Sequence, residues 1–299
     1  MRKLIIGAAL AGFMASPAHA NLNIFACEPE WGALATELGG DKVSVYTATT
    51  GLQDPHQIQA RPSLIAKARA ADISVCTGAE LEIGWLPMLQ QQSANDKIQP
   101  GAAGAFEAAA FLNLLEIPTM LDRSQGDIHA AGNPHIQTDP RNILAVAPAL
   151  TQRFAQGDPA NAAYYNARLA DFTARWQAAL AKWQAEAAPL RGTPVLVAHH
   201  SWVYLENWLG LVRIGALEPK PGVPPSSGYL AQIIEKQTTT PAKFIMRAAY
   251  EDDRAANFIS QKIGLPVAVL PFTVGGTDGA KDLFSLYDDT ISSLLAARK

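Results

Sequence analysis

Apolar positions along this chain fall into two rhythms. LNIFACE (22–28), VSVYTAT (43–49) and DISVCTG (72–78) are short, rich in β-branched residues and nearly continuous in hydrophobicity. Runs of that kind predict strands covered on both faces. Between them, EWGALATELGG (30–40) predicts a helix closed by a glycine pair. PSLIAKARAA (62–71) predicts a second helix that carries proline in its first turn. The βαβαβ order argues for a parallel sheet flanked by helices, with ligand sites beyond the carboxyl ends of the strands.

The middle of the chain abandons that alternation. Asp158-Pro159 is a cap followed by a first helical turn, and neither glycine nor proline recurs until Pro189. Within this stretch Tyr165, Leu169, Phe172, Trp176, Leu180 and Trp183 return every three or four residues, the stripe of one amphipathic helix. About 29 residues at 1.5 Å each reach roughly 43 Å, enough to span two domains. The stripe itself is read as core packing. Beyond Gly192 the first rhythm resumes. TPVLVAHH (193–200), AKFIMRA (242–248) and LPVAVLPF (265–272) read as strands, with helical stretches at Gly228–Lys236, Asp252–Gly264 and from Ala280 onward. The expected fold is therefore α/β, with two parallel-sheet lobes near 21–150 and 193–299. A connecting segment at 151–192 holds the one long rigid helix.

The N-terminus has a different character. Arg2 and Lys3 precede the apolar run LIIGAALAGFMA, and Ala18-His19-Ala20 is a small-x-small cleavage site. Residues 1–20 thus read as a secretory leader, the mature chain starting at Asn21 and living outside the cytoplasm. No cysteine follows the cleavage point to take a lipid, and no later stretch reaches 18 apolar residues. Export bears on Cys27 and Cys76, each near the end of a predicted strand: they pair if those strands are neighbours, or remain two small buried thiols. A net charge of −3 gives no electrostatic case for nucleic acid or an anionic membrane.

Few histidines remain after the leader: His56, His129, His135, His199 and His200. The first four lie in loops or just after strands, on the side of an open sheet where ligands bind. Singly, each is an ordinary cleft residue. Together they point to a metal site, because neutral imidazole is a standard zinc ligand and three with one carboxylate close a tetrahedron.

Asp54-Pro55-His56 running to Pro62-Ser63, and Asn133-Pro134-His135 running to Asp139-Pro140, with a histidine closing the first strand of the second lobe, resemble the zinc and manganese solute-binding proteins of ABC importers, the ZnuA type. The resemblance covers the predicted lobes and the long helix. It implies a periplasmic, non-enzymatic, monomeric protein that captures one Zn²⁺ in the cleft between the lobes and delivers it to a membrane permease, a periplasmic zinc chaperone being a further partner. It implies His56, His135 and His199 as ligands, and an acidic residue late in the chain, for which Asp278 in VGGTDGAKD is first choice and Asp282 the rival. His199 is preferred to His200 because only His199 gives the family's His-x-x-x-x-Tyr spacing to Tyr204 and leaves Gly210 in register. Histidine at that position goes with zinc, where manganese members tend to carry glutamate. The long histidine-rich run of many zinc members is missing. In its place stands GDIHAAGNPH, whose His129 is either an auxiliary capturing ligand or a surface residue.

Two other classes stay open on sequence alone. A secreted zinc hydrolase would need an open coordination position and a base; HExxH and GxSxG are absent, and Glu80 and Glu82 read as solvating a strand end. A metallochaperone or adhesin without a transporter would share the fold.

Overall fold

The computed structural model describes residues 21–120, 126 and 129–298. The leader at 1–20 lies outside them. Strands β1 (Leu22–Ala26), β2 (Val43–Thr47), β3 (Ile73–Cys76) and β4 (Ala105–Glu107) form a parallel sheet in the order β2-β1-β3-β4. β5 (Pro194–Val197), β6 (Val212–Ala216), β7 (Phe244–Ala248) and β8 (Val267–Leu270) form a second parallel sheet in the order β6-β5-β7-β8. The two orders are equivalent, so each lobe carries its site-facing loops past the same ends of the same strand pattern. β4 and β6 were not anticipated: AFE is only three residues long, and VRIGA is an edge strand half open to solvent. Neither offers the buried apolar run that marked the others.

Cys27 and Cys76 form a disulfide, resolving the alternative left open by the sequence. Its cause is topological. β1 pairs directly with β3, which brings the two residues that end these strands side by side.

Among the described residues α2 (Pro62–Arg69), α3 (Leu86–Ser93), α6 (Val203–Leu209), α7 (Ser227–Lys236) and α8 (Arg254–Ile263) are short, whereas the helix α5 (Ala162–Glu186) is 25 residues long and is preceded by a tight turn at Pro159–Asn161. At 1.5 Å per residue it spans roughly 38 Å. Tyr165, Phe172, Trp176 and Trp183 are buried, as the periodicity requires. Its early turns grip the first lobe, where Arg168 donates to the Glu37 carbonyl of α1 (Pro29–Gly39). Its late turns grip α9 (Leu283–Arg298): Trp183 and Lys182 both donate to Asp288, and the Trp176 and Trp183 rings pack on Phe284 and Tyr287. A second long helix, α4 (Pro140–Gly157), lies against α5. Asp139 caps it by accepting from the Arg141 amide, and Pro140 begins it, so the DP that follows NPH is a helix start.

One apolar cluster runs from Ile24, Trp31 and Val75 through α4 and α5 to Val195, Phe244, Leu270 and Tyr287. The lobes therefore share a core across the long helix. They also touch at the backbone level. A Cβ on Gly51, in the loop after β2, would lie 2.4 Å from the Gly275 carbonyl carbon and the Gly276 nitrogen. Only glycine permits that approach.

Candidate metal centre

Three histidines converge where the lobes meet. Two are set by the same three-residue clasp. In Asp54-Pro55-His56 the Asp54 carboxylate accepts from the His56 amide at 3.0 Å and contacts its Nδ1 at 2.8 Å. In Asn133-Pro134-His135 the Asn133 amide oxygen does the same, at 3.1 and 2.8 Å. Proline fixes φ between the acceptor and the ring it orients, which makes each loop a preformed hook. Trp85 anchors the first hook by donating to the Pro55 carbonyl. His199, just past β5, has its Nδ1 2.6 Å from Glu218, whose carboxylate also accepts from the Gly222 amide.

All three partners are acceptors, so Nδ1 carries the proton and Nε2 keeps its lone pair. The ligating nitrogens of His56, His135 and His199 lie within 4.8 Å of one another. Nε2 of His56 and of His135 are buried without a hydrogen-bond partner. Ring centroids are 5.3 Å apart for His56 and His135, 5.6 Å for His135 and His199, and 6.0 Å for His56 and His199. An imidazole whose Nδ1 is held by an acceptor while Nε2 faces other imidazoles is the usual dress of a metal ligand.

The electrostatics agree. Burial drives the His135 pKa well below its ordinary value, and the neighbouring histidines press it further the same way, so it stays neutral. Burial also pulls on His199, but the hydrogen bond and charge of Glu218, with Glu251 and Asp54 behind it, outweigh that and raise its pKa. Protons and a metal ion thus compete for His199 in the same negative field. A cavity of about 670 Å³ opens on one side of the cluster, lined by His56, His199, Asp54, Glu218, Tyr250 and Glu251 among others. A smaller one of about 300 Å³ opens on the other side and is lined by His129, His135, His199 and His200.

The structure does not bring Asp278 or Asp282 to these histidines. Asp278 is exposed on the loop after β8, where its neighbour Thr277 donates to Asp289 of α9. Asp282 accepts from the Ser285 amide as the start of α9. Gly275 and Gly276 of VGGTDG make the close approach to Gly51. What the end of β8 presents to the cluster is Phe272, its ring 5.6 Å from that of His135. Glu82 also departs from expectation: it is 2 % exposed and accepts from the Thr77 and Gly78 amides.

His200 turns to other partners. Arg213 donates to its Nδ1 at 3.0 Å, and its carbonyl accepts from Asn133. Tyr204 bridges the lobes by donating to the Asn133 carbonyl and accepting from the Leu115 amide. Sequence reasoning missed Asn133, Glu218 and Glu251 as participants. The signal for Asn133 was present, because Asp-Pro-His and Asn-Pro-His repeat one pattern. For Glu218 there was none, since 19 residues separate it from His199.

Comparison with known proteins gives a consistent picture. Residues 24–297 match the family described as "Zinc-uptake complex component A periplasmic". The manganese ABC transporter substrate-binding lipoprotein PsaA of Streptococcus anginosus is 20% identical over 265 residues, 85% of this chain and 81% of that one. The high-affinity zinc uptake system protein ZnuA of Brucella abortus is 26% identical over 102 residues, 34% of this chain and 30% of that one. Among solved structures, a crystal structure of ZnuA superposes with a TM-score of 0.75 at 23% identity, covering 93% of this chain and 98% of the other. A mutant of the laminin-binding adhesin Lmb of Streptococcus agalactiae gives 0.74 at 18% identity, covering 93% and 100%.

Proposed function

The chain belongs to the periplasmic zinc-uptake complex component A family, and from that premise we propose that it captures one Zn²⁺ between its lobes and delivers it to the permease of an ABC importer. The ion is cargo, held by Nε2 of His56, His135 and His199. One observation carries this reading: three imidazoles converge with Nδ1 tied to an acceptor in every case. A set of nitrogen donors suits zinc over manganese, which prefers oxygen. Relatives named for manganese and for zinc both exist, so the choice of metal rests on this donor set.

Periplasmic location, action as a monomer and receipt of zinc from a chaperone belong to the same reading. Among the described residues no helix is long and apolar enough to cross a membrane. We read the protein as a carrier and not a hydrolase. Asp54 and Glu218, which touch the cluster, are engaged in orienting imidazoles, and the carboxylate left beside it is Glu251, held at one oxygen by the Ala248 amide.

The test is metal analysis of the protein from its native compartment, followed by calorimetric titration of the stripped protein with Zn²⁺ and Mn²⁺. One equivalent of tightly bound zinc is expected, with manganese far weaker. Preference for manganese, or no zinc binding, would sink the reading.

A further inference from the structure

We infer that Glu116 and Arg213 form a latch between the lobes that holds His135 in its ligating orientation and governs how fast the ion leaves. This rests on the metal-capture reading above and concerns release from that site. The two hooks differ in what secures them. The His56 hook is anchored within its own lobe, by Trp85 on the Pro55 carbonyl. The His135 hook is anchored across the cleft. Asn133 Oδ1 accepts from the His135 amide, so the other branch of its side chain is Nδ2 and must donate. It does so twice, to a Glu116 carboxylate oxygen at 3.1 Å and to the His200 carbonyl at 2.8 Å. The Asn133 carbonyl accepts from the Tyr204 hydroxyl at 2.7 Å, and its amide donates to the Leu115 carbonyl at 2.8 Å. Every polar atom of Asn133 is thus engaged. His200 and Tyr204 belong to the second lobe, and Arg213 of β6 ties Glu116 to that lobe as well. A ligand of the first lobe is therefore oriented from the second.

The Glu116–Arg213 pair has the features of a contact that can open. Glu116 stands at φ 52°, in the left-handed region that disfavours a residue with a Cβ, so its contacts hold it there. The strap it belongs to lies directly on the hook. A Cβ on Gly132 would sit 2.9 Å from the Leu114 Cβ and from the Leu115 carbonyl oxygen. When the pair parts, neither charge is stranded in the interior, which is what makes most buried pairs costly to break. The Glu116 side chain is 35 % exposed and reaches water, while Arg213 keeps Glu206 at 3.5 Å from its Nε. With Glu116 released, Asn133 Nδ2 retains only the His200 carbonyl, and the amide plane that orients His135 is fixed from one side alone.

Zinc dissociation from the loaded protein, followed by stopped flow into excess chelator, tests the latch. Glu116→Gln and Arg213→Gln should each speed release roughly tenfold to a hundredfold, the size of an outer partner's contribution to a metal site. The double variant should be no faster than the faster single one, because both substitutions break the same pair. The sign for Arg213 separates a latch from a field effect. Coulomb attraction and repulsion alone predict slower release when a positive charge near a bound cation is removed. Arg175→Gln breaks an ion pair to Glu37 between α5 and α1, and should leave the rate unchanged. Slower or unaltered release in Arg213→Gln would overturn the latch. So would single effects that multiply in the double variant, or an equal acceleration by Arg175→Gln. Wild type that binds no zinc fails the capture reading instead, before any variant is compared.

Discussion

His56, His135 and His199 form one group of three ionisable side chains near the lobe interface; Glu28, Glu30 and Glu82 form another. The histidines each spend one ring nitrogen on an acceptor and turn the other toward a common centre beside two cavities. The glutamates face no such opening. Thr77 donates to Glu28 from its hydroxyl and to Glu82 from its amide, while Thr273 reaches across from the second lobe to Glu30. All three are buried, and burial raises every one of their pKa values: Glu30 and Glu82 to about 7, and Glu28 well above its ordinary value with Glu82 adding to the push. Burial alone therefore marks neither group as a binding site. The difference lies in what the unused atoms face: unprotonated lone pairs sharing a centre in one case, acids that retain protons in the other.

The largest effect expected on this comparison comes from removing a converging nitrogen. His56→Ala, His135→Ala and His199→Ala should each weaken zinc binding by several orders of magnitude, approximately the loss of a coordinate bond. His200→Ala should lower it by no more than tenfold to a hundredfold, because that ring bonds Arg213 and does not join the converging set. Calorimetry on folded variants, with circular dichroism as the control, reads the order. A larger loss for His200→Ala than for His199→Ala would mean that the second-lobe register is wrong.

A smaller effect separates the rings from what holds them. Asp54→Asn and Glu218→Gln keep a hydrogen-bond acceptor but remove the charge that steadies a metal-bound imidazole. Each should weaken zinc binding roughly tenfold to a hundredfold. Unchanged affinity in both would leave the acidic surround without a role in capture.

How much of this was legible in sequence depends on whether the signal was local. Six of the eight strands, the aromatic stripe of α5 and the two His-loop motifs are local patterns, and each stands where its periodicity or spacing set it. α4 was not read from the sequence: Pro148 interrupts it, and its NPHxxxDP start was read as a ligand motif alone. The placement of the loop after β8 could not be read the same way. A glycine-rich loop after a last strand looks like a ligand loop, but Gly51 lies against Gly275 and Gly276, and that contact exists only in three dimensions. Glu82 shows the same limit. Its sequence neighbours suggest a solvated strand end, whereas the fold closes α1 and the first sheet over it.

The smallest effect concerns the glutamates and has a definite sign. An acid whose folded pKa is raised is protonated in both states below the unfolded value of about 4.5, and contributes no pH dependence there. Between about 4.5 and about 7, Glu30 and Glu82 keep protons in the folded state that the unfolded chain releases. Stability from this cluster therefore falls as pH rises through that window, and levels off once the folded acids ionise. At 1.36 kcal/mol per pKa unit, a rise from 4.5 to about 7 makes the loss on the order of 3 kcal/mol for each of these two acids. His135 acts oppositely: with its folded pKa lowered, the unfolded chain takes up the proton first, and stability falls as pH drops below about 6.5. The raw pH profile of the metal-free protein mixes the two. The difference between wild type and Glu82→Gln isolates the carboxylates, since an amide oxygen at the Oε1 position still accepts from the Thr77 amide and lies within 3.4 Å of the Gly78 amide. Urea unfolding with a chelator present, at about pH 5 and about pH 8, should show wild type losing more stability than Glu82→Gln on going to the higher pH. Equal losses in the two proteins would mean that the cluster is already ionised in the folded state, and that the contrast with the histidines is one of packing alone.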